Sequence, residues 1–141
     1  MTSSLDQVAL LLRGGLGVTF LFAGLEKTLG GTHRVVEYFR SLGIPWPELL
    51  GPFVSYLELF GGLALLLGVL TRPVSILLGL EMIVAIVTAR AEDALAGPGI
   101  AVGFRAIRLE MMLAIAAACL ALAGPGRKSV DSWLEGRRRR S

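Results

Sequence analysis

The stretch that decides the fold is PFVSYLELFGGLALLLGVLTRPVSILLGLEMIVAIVTA, residues Pro52 to Ala89. It contains two long apolar runs, at about 52–70 and 73–89, which are separated only by Thr71 and Arg72. A helix needs about 20 mostly apolar residues to cross the hydrocarbon core of a bilayer. Proline is well tolerated in the first turn of a helix. The stretch therefore predicts two membrane-spanning helices joined by a tight turn.

Two further apolar runs lie outside this stretch, at about 5–25 and 107–123. Lipid accepts only helices or closed barrels, and barrel strands are shorter and alternate in polarity. The four runs therefore predict an all-α fold, an integral membrane four-helix bundle with antiparallel up-down topology. A short interfacial helix is predicted around Val35–Phe39, in the connection between the first two spans.

The composition also indicates a membrane protein. The 141 residues are 54% hydrophobic and 18% charged, with a mean hydropathy of +0.69, whereas a soluble domain carries about 25% charged residues. The length predicts one membrane domain over 1–141, and the basic tail, 124–141, supplies much of the net charge of +3. Such a tail is typical of contact with a lipid bilayer, and no nucleic-acid partner is expected. Arg137 to Arg140 give the side that carries the termini the larger number of basic residues, so the positive-inside rule predicts cytoplasmic termini.

The residue types argue against a self-contained redox centre. One cysteine, Cys119, and one histidine, His33, cannot provide an intramolecular disulfide, an iron–sulfur cluster or a zinc site, so no metal is expected. The sequence shows no haem ligand set and no flavin motif either. Any electrons would therefore have to come from a partner protein, and the chain would be at most a subunit of an oxidoreductase.

Charged side chains within or beside the apolar runs are the candidates for function: Arg13, Lys27, Glu58, Glu81 and Glu110. A charge at the bilayer centre costs about 2.5–3.5 kcal/mol on insertion scales, so such residues are expected to pair or to line a wet cavity. At about 100° per residue, these charges lie on helix faces that also carry small residues, which let helices approach closely. The pattern predicts a buried polar cluster inside the bundle.

The partner of Arg13 stays open at this stage. Arg13 and Glu81 both lie about eight residues, or roughly 12 Å, from the side that carries the termini, so they are plausible partners. An arginine is also long enough to reach towards Glu58. Glu110 begins its run, where a helix N-terminus would stabilise it at the interface. A structural alternative is that these charges fix the helix register without taking part in chemistry.

Four segments together resemble the DoxX family of small bacterial membrane proteins. They are LLRGGLGVTFLFAGLEKTLGG (Leu11–Gly31), LGIPWPELLGP (Leu42–Pro52), YLELFGGLALLLGVLTRP (Tyr56–Pro73) and RLEMMLAIAAACLALAGPGRKSVD (Arg108–Asp131). The segments contain four of the five candidate charges, whereas Glu81 lies outside them. The resemblance implies a multi-pass, four-helix bundle in the bacterial inner membrane.

The resemblance also implies a link to quinones, because the family takes its name from a subunit of a terminal quinol oxidase and includes the membrane subunit of a thiosulfate–quinone oxidoreductase. The first expectation is an accessory subunit of a quinone-linked redox complex or oxidative-stress system. Arg13 or Lys27 would hydrogen-bond a quinone oxygen, and Glu58 or Glu110 would move its proton. Two alternatives are a proton-coupled transporter, which would need a homo-oligomer, and a non-catalytic structural or assembly protein.

Overall fold

The computed structural model describes residues 4–91 and 99–138. Helices make up most of these two ranges, and no strand occurs in them, so the all-α prediction is confirmed. A π-helical turn, Ile86–Arg90, continues the fourth helix. The helices are α1 (Ser4–Leu29), α2 (Thr32–Ser41), α3 (Pro47–Leu67), α4 (Thr71–Ala85), α5 (Ile100–Ala123) and α6 (Val130–Arg138).

Four of these helical segments are long and apolar enough to cross a membrane. They are Ser4–Leu29, Pro47–Leu67, Thr71–Arg90 and Ala101–Ala123. Within the apolar window of each span, only 33% of the first two and 17% of the last two is buried inside the protein. A soluble monomer rarely exposes so large an apolar surface. The outward-facing side chains fit lipid tails, and the chain is a multi-pass membrane protein.

The turn between α3 and α4 differs from the predicted one. Gly68 adopts a left-handed conformation, with φ of 72°, and the Gly68 and Val69 amides bond back to the carbonyls of Leu65 and Ala64. This arrangement ends α3 before the predicted residue 70. The turn is therefore 68–70, and Thr71 and Arg72 belong to the first turn of α4 instead.

The start of α5 also differs from the prediction. The helix begins at Ile100 instead of about residue 107, so most of the predicted connection 90–106 is helical where it is described. The sequence also predicts a break at Gly97-Pro98-Gly99; Gly97 and Pro98 lie outside the described residues, and Gly99 directly precedes the helix. Glu110 is consequently well inside a helix and only 9% exposed. Of the two predictions for Glu110, the alternative of an interfacial position at a helix N-terminus was wrong, since the side chain is buried.

The closest helix approach is between α1 and α3, and it depends on glycine. A Cβ atom on Gly24 would overlap the backbone of Leu59, and one on Gly62 would overlap the backbone of Leu21. Gly17 lies against the carbonyl oxygen of Gly62. The contacts move towards lower residue numbers in α3 as they move towards higher numbers in α1, so these two helices run in opposite directions.

Apolar side chains fill the space between the spans. Leu16 and Phe20 of α1 meet Leu65 of α3, Leu78 of α4 and Leu120 of α5 in one buried core. α5 joins α4 closely, since a Cβ on Gly79 would lie 3.3 Å from the Cβ of Ala117. This core separates the two ends of the bundle, and the charged residues lie on either side of it.

We expect Gly24→Ala to lower the melting temperature of the detergent-solubilised protein. The added methyl group meets backbone rather than a movable side chain, and overpacking of this kind typically costs about 1–3 kcal/mol. Gly14→Ala is the matched control, because an added Cβ there meets nothing within 4 Å. Equal melting temperatures for the two variants would show that the α1–α3 approach is looser than described.

Candidate functional site

The five candidate charges form two separate groups at opposite ends of the apolar core. Arg13 lies at the end where the 68–70 turn and residues 124–131 meet. The other four, Lys27, Glu58, Glu81 and Glu110, line one cavity at the other end. The predicted single cluster is thus divided, and Arg13 is not part of the cavity group.

Arg13 is 3% exposed and binds main-chain oxygens instead of a carboxylate. Its Nε and Nη2 donate to the carbonyls of Leu65 and Leu66, each at 2.9 Å. Its Nη1 donates to Pro125 at 3.0 Å and to Lys128 at 2.7 Å. The last carbonyls of a helix lack helical partners and carry the negative end of its dipole, so a guanidinium is well matched to the end of α3.

Neither suggested pairing of Arg13 occurs: the side chain reaches neither Glu58 nor Glu81. Helical side chains lean towards the N-terminus of their own helix. Arg13 therefore extends back towards the start of α1, whereas Glu58, on the oppositely directed α3, leans the other way. Residue counting placed Arg13 and Glu81 at one depth, but it took no account of this lean.

Gly68 and Asp131 complete the group around Arg13, which we call the Arg13 cage: Arg13, Gly68, Asp131 and the main-chain groups that the two charged residues bind. A Cβ on Gly68 would lie 2.5 Å from Arg13 Nη2, so only glycine leaves room for the guanidinium. The Asp131 carboxylate accepts hydrogen bonds from the amides of Leu70 at 2.8 Å and Thr71 at 2.9 Å. The cage therefore ties the C-terminal segment to the α3–α4 turn.

The cavity at the other end has a volume of about 780 Å³. Side chains from α1 to α5 line it, and α2 contributes Val35, Tyr38 and Phe39. Most of the lining is apolar, and it includes Phe20, Phe53, Leu57, Leu77 and Leu113. Pockets for small organic ligands usually have this size and consist of apolar walls with a few polar groups.

Within residues 4–91 and 99–138, two ion pairs lie at this cavity. Lys27 Nζ is 2.5 Å from Glu58 Oε2, and the Glu58 side chain is only 3% exposed. Glu81 lies beside the Glu58 carboxylate, and its Oε2 is buried without a hydrogen-bond partner among the described residues. Arg90 Nε donates to Glu110 Oε1 at 3.0 Å. The Lys27–Glu58–Glu81 group thus contains two adjacent carboxylates and one ammonium.

Arg90 was not among the residues predicted from sequence. Nine residues separate it from Glu81, and at about 100° per residue an unbroken α-helix would place the two on opposite faces. The π-helical turn Ile86–Arg90 contains more residues per turn, so it shifts this phase and lets Arg90 reach the cavity. The sequence has no signature that predicts this π-helical turn. It does show that Arg90 is a basic residue at the end of a span, which is the signal that could have identified it.

The chain is similar in sequence to proteins of one known family. The DoxX family model matches residues 8–91, which contain Arg13 and the cavity residues Lys27, Glu58 and Glu81 but not Glu110. CatD of Bacillus subtilis (strain 168), named as an oxidoreductase, is 33% identical over 90 residues, which cover 64% of this chain and 65% of CatD. The chain thus spans slightly less than two thirds of that relative.

A second relative covers more of the chain. An uncharacterised membrane protein of Mycobacterium tuberculosis (strain H37Rv), Rv3486, is 29% identical over 127 residues, which cover 86% of this chain and 78% of Rv3486. No solved structure matches the chain significantly.

We expect Arg13→Lys to loosen the C-terminal segment, because one compact ammonium cannot replace the donors that Nε, Nη1 and Nη2 direct to carbonyls of two different segments. Limited trypsin digestion should then cut the variant faster after Arg127 and Lys128 than the wild type. Arg40→Gln is the control, since Arg40 forms an exposed pair with Glu48. Unchanged digestion of Arg13→Lys would contradict the anchoring role of the cage.

A second prediction concerns the Lys27–Glu58 pair. Removing one partner of a buried pair leaves a charge uncompensated and costs about 3–5 kcal/mol, whereas exposed pairs contribute about 0–1 kcal/mol. We therefore expect Lys27→Met to lower the melting temperature, and Lys27→Met combined with Glu58→Gln to restore part of the loss. Glu48→Gln should change little. Additive losses in the double variant would show that the two side chains do not interact.

Proposed function

The chain belongs to the DoxX family, and from this premise we propose that it is an accessory subunit of a quinone-linked membrane redox complex. In this proposal the cavity beside Lys27, Glu58 and Glu81 receives the quinone ring, and a partner protein exchanges the electrons. The observation that carries the proposal is a group of two adjacent carboxylates and one ammonium at a cavity whose lining is mostly apolar.

The cavity fits the quinone class on two counts. A quinone ring is flat, apolar and uncharged, which suits walls such as Phe53, Leu57 and Leu77. Its polar atoms are carbonyl oxygens, which only accept hydrogen bonds, and the Lys27 ammonium has three N–H donors. Because Lys27 remains 34% exposed while Glu58 is buried, its ammonium is the accessible member of the pair.

A bound quinone supplies two-electron chemistry, in which reduction to the quinol consumes two electrons and two protons. Glu58 and Glu81 are placed to carry protons, since each carboxyl group can hold one and the two lie side by side. Lys27 balances one negative charge of the pair, so the group remains close to neutral when it holds one proton. Lys27 orients the acceptor oxygen, and the apolar walls keep bulk water away from the proton carriers.

Arg13 has a different role from the one the sequence suggested. Its donors are engaged by Leu65, Leu66, Pro125 and Lys128 carbonyls on the far side of the core, so it serves the register and the C-terminal anchor. Glu110 lines the same cavity as Glu58 but is paired with Arg90. We assign the Arg90–Glu110 pair to the cavity wall between α4 and α5.

The transport alternative makes a different demand on the fold. A transport pathway must connect both faces of the membrane, whereas the buried core of Leu16, Phe20, Leu65, Leu78 and Leu120 lies between the cavity and the Arg13 cage. This placement favours binding of a ligand over its passage through the described part of one chain.

The first experiment is to purify the protein in mild detergent from its native host and to identify copurifying quinones and proteins by mass spectrometry. We expect a lipid-soluble quinone and a redox enzyme. Recovery of the chain with neither would argue against the proposal, and liposome flux assays would then test the transport alternative.

The second experiment measures binding of menadione to the purified protein. We expect Lys27→Met to weaken binding by about 10- to 100-fold, because a hydrogen bond to a charged group contributes about 1.5–3 kcal/mol. Arg40→Gln, which removes an exposed cation, should bind like the wild type. Equal affinities of all three proteins would remove the cavity from the proposal.

A further inference from the structure

A second surface lies at the opposite end of the bundle from the cavity, and it is independent of the proposed function. We propose that α6 and the preceding residues 127–129 form a binding surface for the headgroups of anionic lipids. The surface docks the C-terminal segment onto the membrane beside the Arg13 cage.

The first observation is an apolar face on α6. Val130, Trp133 and Leu134 follow the i, i+3, i+4 spacing that places side chains on one side of a helix. These three side chains are 37%, 58% and 46% exposed, respectively. Amphipathic helices with such a face lie in the plane of the membrane interface, and tryptophan prefers the headgroup level.

The second observation is the height of this face relative to the spans. The Asp131 carboxylate holds the Leu70 and Thr71 amides, and the Asp131 amide donates to the Gly68 carbonyl at 3.0 Å. α6 therefore begins beside the turn where α3 has ended and α4 starts. The ends of apolar spans mark the boundary between hydrocarbon and headgroups, so the exposed face of α6 lies at headgroup level.

The third observation is the charge around this face. Arg127 and Lys128 have exposed side chains, and the hydrogen bonds that hold them in place use their main-chain atoms. Arg137 lies over the Trp133 ring, 4.4 Å from its centroid. The sequence continues with Arg138 to Arg140. Asp6 and Asp131 direct their carboxylates to main-chain amides, and Glu135 is the exposed carboxylate of α6, so the described cations Arg127, Lys128 and Arg137 outnumber the outward-facing anions.

Together, these observations select an anionic lipid surface as the partner. A soluble acidic protein or a nucleic acid would match the charge. Neither partner would explain why the apolar face of α6 lies level with the ends of the spans. Arg137 over the Trp133 ring combines an apolar group and a cation at one point, since the ring faces the acyl chains while the guanidinium meets a phosphate.

The test uses the full chain in nanodiscs of phosphatidylcholine alone or of equal parts phosphatidylcholine and phosphatidylglycerol. Trp46→Phe leaves Trp133 as the only tryptophan. We expect the Trp133 emission to move to shorter wavelength when phosphatidylglycerol is present, because the ring settles deeper. Salt at about 1 M, where the Debye length is about 3 Å, should reverse this shift.

Two controls make the outcome decisive. Trp133→Phe leaves Trp46, which precedes α3 at the cavity end and is 75% exposed; its emission should not respond to phosphatidylglycerol. Arg127→Gln with Lys128→Gln removes two cations without touching their main-chain bonds and should reduce the shift, because only Arg137 to Arg140 would then supply the positive charge of this segment. Arg105→Gln with Arg108→Gln removes the same charge from α5 and should keep it. A Trp133 emission that is the same in both lipid mixtures, or a shift that Arg127→Gln with Lys128→Gln leaves unchanged, would overturn the proposal.

Discussion

A charge inside a lipid-embedded bundle must find its counterpart within the protein, because hydrocarbon offers neither water nor ions. The Arg13 side chain meets this constraint with four main-chain carbonyls, and Glu58 meets it with the Lys27 ammonium. The rest of the structure depends on these two sets of contacts. The Arg13 contacts close the end of α3 and hold the C-terminal segment. The Lys27–Glu58 pair lies at a cavity whose other walls are mostly apolar.

The close approach of α1 and α3 makes the Lys27–Glu58 ion pair possible. Gly24 lies against the backbone of Leu59, the residue that follows Glu58, and Lys27 is one helical turn beyond Gly24. This contact brings the ammonium within reach of the Glu58 carboxylate. The hydrogen bonds of Arg13 depend on glycine as well, because Gly68 both ends α3 and leaves space for the guanidinium. Small residues therefore act at both ends by letting charged groups reach buried partners.

The two ends also differ in what they leave accessible. The guanidinium of Arg13 is enclosed and donates to main-chain acceptors, which supports the structural role that we propose for it. The cavity end combines a buried carboxylate pair with a partly exposed ammonium and a volume of about 780 Å³, so it can accept a ligand. The apolar core between them allows the membrane anchoring of α6 and the binding of a ligand to be tested separately.

Sequence alone predicted the class of fold, the four spans and five of the charges at the two ends of the core, but not Arg90. Hydropathy and span length are local properties that a bilayer imposes directly, so runs such as 52–70 are readable without a structure. The tertiary structure decided how these charges are grouped. Arg13 does not lie in the predicted cluster because its side chain extends towards the start of α1. Arg90 lines the cavity because a π-helical turn shifts its helical phase. Both effects depend on side-chain direction and on how neighbouring helices dock, which residue spacing alone does not determine.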